Sequence, residues 1–164
     1  MEREVLENMS SAELIELLKK DPSIASKFDE YSLWSKIITW SCLLAEQPRF
    51  ADKCDKWGEF VAYDWHILLE KQPQFADKCD EYRGWRNLDA WKWRELLAEQ
   101  PQFADKCDKW AKFDAYKWRL LLEKQPRFAD KCDEYGGWSK FDADDWSLLL
   151  DEQPQFEEKH DALN

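Results

Sequence analysis

One string, Gln-Pro-x-Phe-Ala-Asp-Lys-Cys-Asp, begins at Gln47, Gln72, Gln100 and Gln125, and each copy follows a stretch reading Trp-x-x-Leu-Leu or close to it. A chain built this way has little choice of architecture. Each unit carries an apolar face that it cannot bury alone, so neighbouring units must stack into one continuous core. The starts fall 25, 28 and 25 residues apart, and a worn copy begins 28 residues further on at Gln153. The longer units gain three residues after Tyr82 and Tyr135, giving Arg83-Gly84-Trp85 and Gly136-Gly137-Trp138. The duplicated element is therefore a pair of units: residues 47–99 match 100–152 at 36 of 53 positions.

Within a unit the pattern describes two short helices. Proline suits the first helical turn, where its missing N–H would have no partner, and it disfavours a helical conformation for the glutamine before it. The chain should turn at each Gln-Pro and enter a helix A from about Pro48, with Phe50, Cys54 and Trp57 on one face at i, i+4 and i+7. A helix B should start near Ala62, with Asp89, Asp114 and Asp142 as N-caps in the other copies. Ala62, Trp65, Leu68 and Leu69 form its apolar stripe. Phe60, Leu88, Phe113 and Phe141 share one place in the connection and should plug the gap between the helices. No segment alternates apolar and polar residues for long, so strands are not expected. The fold class that follows is all-α, with tandem helix-pair repeats of 25 and 28 residues stacked as an α-solenoid or a compact superhelical bundle. The 11 tryptophans serve such a fold: each aromatic ring buries about 150 to 250 Å², which holds together helices that alone, below ~12 residues, are marginal.

The ends are worn units. Asp21-Pro22 begins a copy with Phe28 in the cysteine place, preceded by Leu14, Leu17 and Leu18, and the last copy runs from Gln153 to His160 in that same place. The organisation expected is a single repeat domain over 1–164: an N-terminal cap and degenerate repeat over 1–46, four regular repeats over 47–152, and a C-terminal cap over 153–164. The net charge of −11 lies entirely at the two ends, because residues 47–141 carry 18 basic against 18 acidic side chains. Asp142, Asp144, Asp145, Asp151, Glu152, Glu157, Glu158 and Asp161 read as a solvated cap. A row of carboxylates can also mimic nucleic-acid phosphates in a basic groove.

Cys54, Cys79, Cys107 and Cys132 hold one place in successive units, Cys42 lies elsewhere, and none forms a Cys-x-x-Cys pair. Zinc ligands must converge within about 2.3 Å of one ion, whereas equivalent positions of stacked helices lie about 8 to 10 Å apart. Buried packing is the expected role of these thiols, with no metal and no cofactor. An odd cysteine count and a charged N-terminus point to a reducing cytoplasm. His66 and His160 lie in non-equivalent places and there is no glycine-rich phosphate loop, so neither catalytic residues nor a small-molecule substrate are expected. No apolar run is long enough to cross a membrane.

The unit, represented by Trp85, Trp93, Leu96, Leu97, Gln100, Pro101, Phe103, Cys107 and Asp108, resembles tryptophan-rich tandem repeats of bacterial and phage proteins over roughly residues 14–160. The resemblance implies a repeat architecture and an origin, and carries over no functional residue.

Positions where the copies differ are the informative ones for function. On helix B, at 100° per residue, Tyr63 and His66 point away from the apolar stripe, as do Trp91 and Arg94, then Tyr116 and Arg119. Stacked units would align the three rings into a column with the basic residues beside it. Such rings pack between adjacent helices or serve a partner, and tyrosine, tryptophan and arginine are the types enriched at interface hot spots. A non-enzymatic, protein-binding scaffold is the first expectation. The alternatives are an acidic phage-type inhibitor of a host nucleic-acid enzyme, or single-strand binding through this column with Lys92 and Lys117.

Overall fold

A computed structural model of the chain describes residues 3–163. It is all-α, and no strand occurs among the described residues. The chain divides into two compact units, Met1–Gly84 and Trp85–Asn164. The first holds α1 (Arg3–Asn8), α2 (Ser11–Lys20), α3 (Ala25–Tyr31), α4 (Trp40–Glu46), α5 (Ala62–Lys71) and α6 (Ala76–Glu81). The second holds α7 (Ala90–Glu99), α8 (Ala115–Lys124), α9 (Ala129–Glu134), α10 (Ala143–Glu152) and α11 (Glu157–Leu163).

Helix B forms where its apolar stripe places it. It is a ten-residue helix in α2, α5, α7, α8 and α10 and a shorter one in α4. Successive B helices pack side by side, α4 on α5 in the first unit and α8 on both α7 and α10 in the second. The expected caps are made: Asp89, Asp114 and Asp142 accept from the backbone N–H groups of Lys92, Lys117 and Asp145 at 2.8 to 2.9 Å. Val61 has no side chain to do this, and the Asp64 carboxylate instead accepts from the Val61 N–H at 3.0 Å. Asp89→Ala should cost about 1 kcal/mol of stability, measurable by denaturant unfolding, and an unchanged midpoint would mean that Asp89 caps nothing.

Helix A departs from the expectation of one continuous helix. In the short units the motif forms 3₁₀ turns at Pro48–Lys53 and Pro101–Lys106, and the chain then extends at Cys54 and Cys107 (ψ 117° at both) before a second 3₁₀ turn at Trp57–Glu59 or Trp110–Lys112. In the long units the turns Pro73–Phe75 and Pro126–Phe128 run straight into α6 and α9. The cause is the distance in sequence to the next buried tryptophan. With three residues from Cys54 to Trp57 the chain must straighten to turn both side chains inward. The three extra residues of the long units allow another helical turn, closed by a left-handed residue, Arg83 (φ 56°) or Gly136 (φ 62°).

The core of each unit is built on clusters of rings. Ten of the eleven tryptophans form five stacked pairs, each joining the tryptophan that precedes a helix B to the one on it: Trp34 with Trp40, Trp57 with Trp65, Trp85 with Trp93, Trp110 with Trp118 and Trp138 with Trp146. Centroids lie 5.2 to 6.1 Å apart and ring planes within 23°, the spacing of offset stacking. The motif phenylalanine of the following unit then leans on the first ring of the pair, as Phe75 does on Trp57 at 5.5 Å and Phe128 on Trp110 at 5.5 Å. Phe60, Phe113 and Phe141 fill the connection against Trp65, Trp118 and Trp146.

The motif glutamine has a role that the repeat pattern did not disclose. Having ended one helix B, its side-chain amide donates to a backbone carbonyl of the B helix before: Gln72 to Ala45 at 2.7 Å, Gln125 to Ala98 at 2.8 Å and Gln153 to Glu123 at 2.5 Å. This satisfies carbonyls that helix ends leave unpaired and fixes the register of neighbouring helices. Further links join the B helices: Ser41 Oγ donates to Asp64 at 2.5 Å, Arg119 Nε to Asp145 at 3.3 Å, and Lys124 pairs with Glu99 at 2.7 Å.

Candidate interaction surface

The second residue of each regular helix B lies on the outer surface. In the second unit these are Trp91 and Tyr116, 43% and 48% exposed. In the first unit Tyr63 is 57% exposed, and Ile38, at the matching place ahead of α4, is 81% exposed. Asp144 takes that place in α10 and is exposed as well. Trp91 is thus the one tryptophan left out of the stacked pairs.

The basic neighbours behave differently from the rings. His66 and Arg119 are buried and Arg94 is largely so, which corrects the expectation that they point outward with the rings. In the second unit, packing B helices side by side covers this position, as the Arg119 bond to Asp145 on α10 shows. Lys117 is also buried.

In the second unit the geometry joins these groups. Trp91 meets Tyr116 edge-on with centroids 5.7 Å apart. Lys117 Nζ lies 4.5 Å and the Arg94 guanidinium 5.4 Å from the Trp91 centroid, and the Arg119 guanidinium lies 5.0 Å from that of Tyr116. These are cation–π distances, worth more where the cation is desolvated. Each cation also lies beside a carboxylate: Lys117 beside Asp114 at 2.6 Å, Arg119 beside Glu123 at 2.5 Å, while Lys92 and Arg94 share Glu95 at 3.3 and 3.4 Å. Burial opposes ionisation of Asp114, but the bonds from the Lys117 ammonium and amide outweigh it and lower its pKa below the ordinary value. The rings therefore rest on a charge-balanced base that restrains their rotamers. His66 lies on α5 of the first unit with Nε2 3.8 Å from the Glu70 carboxylate.

The aligned thiols are packed into the core. Cys54, Cys79, Cys107 and Cys132 are buried and Cys42 is half-buried. Burial raises the Cys54 pKa to about 11 and those of Cys107 and Cys132 to about 12. No cluster of His, Cys, Asp or Glu able to hold a metal ion occurs among the described residues, and no helix there is long and apolar enough to cross a membrane. No protein-family model, curated protein or solved structure matches the chain.

Proposed function

We propose that the chain is a non-enzymatic binding scaffold of the tryptophan-rich repeat type, and that it engages another protein through the outer row of its B helices, centred on Trp91 and Tyr116. One observation carries this reading: ten tryptophans are placed in the core, while the eleventh is held at the surface, edge-on to a tyrosine and over two restrained cations, Lys117 and Arg94. Exposed tryptophan and tyrosine in a fixed orientation bind partners at small entropic cost. Protein is preferred to single-stranded nucleic acid because Lys92, Lys117, Arg94 and Arg119 already lie beside carboxylates, with which a phosphate would have to compete. The acidic-inhibitor reading is weaker for a similar reason, since Asp142 and Asp145 are engaged in capping and Asp145 also in the bond from Arg119.

The test is affinity capture from the source cell's lysate with the wild-type chain and with Trp91→Ala, followed by titration of the protein that wild type retains. Trp91→Ala should lose about 2 kcal/mol of binding or more with an almost unchanged melting temperature. Equal retention by the folded variant would remove Trp91 from the binding surface.

A further inference from the structure

We propose that the chain associates head to tail, with α10 of one copy docking on the open face of α2 of a second copy in the register that already joins neighbouring B helices. Two half-interfaces lie open, one on α2 and one on α10. α2 is a full ten-residue helix B, equal in length to α5 and α10. Its far side packs on α4. Its near side is a groove of about 400 Å³ lined by Met9, Ala12, Glu13, Glu16, Leu17 and Lys20. α10 turns Ser147 and Leu148 to the surface, with Leu148 49% exposed.

Two links of the internal register recur across such a junction. The last residues of successive B helices read Lys20, Glu46, Lys71, Glu99, Lys124 and Glu152, an alternation of sign that is in contact where Lys124 meets Glu99 at 2.7 Å. The residue that continues the alternation after Glu152 is a lysine, and Lys20 of the second copy supplies it. Ser147 holds the place of Ser41, and Glu13 that of Asp64, the pair joined at 2.5 Å inside the first unit. Asp64 uses Oδ2 to cap its helix and Oδ1 to receive Ser41; the Glu13 cap on Ser10 likewise engages Oε2, which leaves Oε1 in the receiving place. Leu148 supplies an apolar side chain at the groove. The contact is heterologous and so admits further copies.

One link is missing. Where Gln72, Gln125 and Gln153 donate to the preceding helix, α2 ends on Asp21, whose carboxylate cannot donate. Asp144, Asp151 and Glu16 add like charges at the junction. Association is therefore weak, strengthens as salt screens the carboxylates, and is held back by Asp21.

Sedimentation velocity over a concentration series, at 0.05 and 0.5 M salt, tests this on the full chain. Asp21→Gln should bring on association at concentrations on the order of tenfold lower. Lys20→Glu and Leu148→Glu, both surface changes whose fold is checked by circular dichroism, should abolish it, and the exchanged pair Lys20→Glu with Glu152→Lys should restore it. A wild type and an Asp21→Gln variant that both stay monomeric at millimolar concentration overturn the proposal. So does association that Lys20→Glu and Leu148→Glu leave intact, which would place the contact elsewhere. Trp91→Ala should not change the association, so its outcome stands apart from that of the binding row.

Discussion

Gly137→Leu should lower stability by about 3 kcal/mol, at the upper end of what overpacking costs, and the loss should be largely recovered when Trp118→Leu and Cys132→Phe are made with it. A Cβ at Gly137 would lie 2.5 Å from the Cys132 sulfur and 2.8 Å from the Trp118 indole, and one at Gly84 would lie 2.6 Å from Trp65 and 2.8 Å from Cys79. Neither approach leaves room for a side chain. The degenerate first repeat shows the other way of filling the same space. There Leu14, Phe28 and Leu33 stand where the later repeats have tryptophan, cysteine and glycine, and all three are buried. A smaller residue on helix B is matched by larger ones on its neighbours. Because the three positions share one volume, their effects should be strongly non-additive. Denaturant unfolding of the single and triple variants measures this. If the triple variant is no more stable than the sum of its single changes predicts, the first repeat packs by some other arrangement.

Trp93→Ala should cost about 3 to 5 kcal/mol, the range for emptying a buried aromatic site. Trp93 is fully buried and stacks on Trp85 with planes 15° apart. Its indole N–H has no hydrogen-bond partner among the described residues, so the ring contributes by area and stacking, and Trp93→Phe should be much milder. The contrast with Trp91, two residues earlier on the same helix, is the decisive part. Thermal and denaturant melts of Trp93→Ala and Trp91→Ala should differ by several kcal/mol. Similar losses would mean that Trp91 is also a core residue and that the outer row is not free to bind.

Most of the helix B architecture could be read from residues: the stripe through Trp65, Leu68 and Leu69, and the caps at Asp89, Asp114 and Asp142, rest on short-range rules that the fold obeys. Helix A could not be read in the same way. The string Phe-Ala-Asp-Lys-Cys-Asp is identical at 50–55 and 75–80, yet it ends extended at Cys54 and helical at Cys79. The decision is made by residues downstream that set where the next tryptophan must be buried, so tertiary packing overrides local preference. The outer row was half legible. Helical geometry puts Tyr63, Trp91 and Tyr116 outside, but a single helix does not reveal that the next one will cover Arg119, nor that the motif glutamine reaches back to its predecessor.

The buried thiols have a practical consequence. With pKa values near 11 to 12 at three of the four aligned cysteines, almost no thiolate exists at neutral pH, and the sulfurs lie out of reach of reagents. Alkylation therefore has to wait for a repeat to open. Each regular repeat carries one such thiol, so the rate at which it reacts, resolved by mass spectrometry of the peptides, reports the opening free energy of that repeat. The chain carries its own series of local stability probes along its length, with no label to introduce and no residue to change.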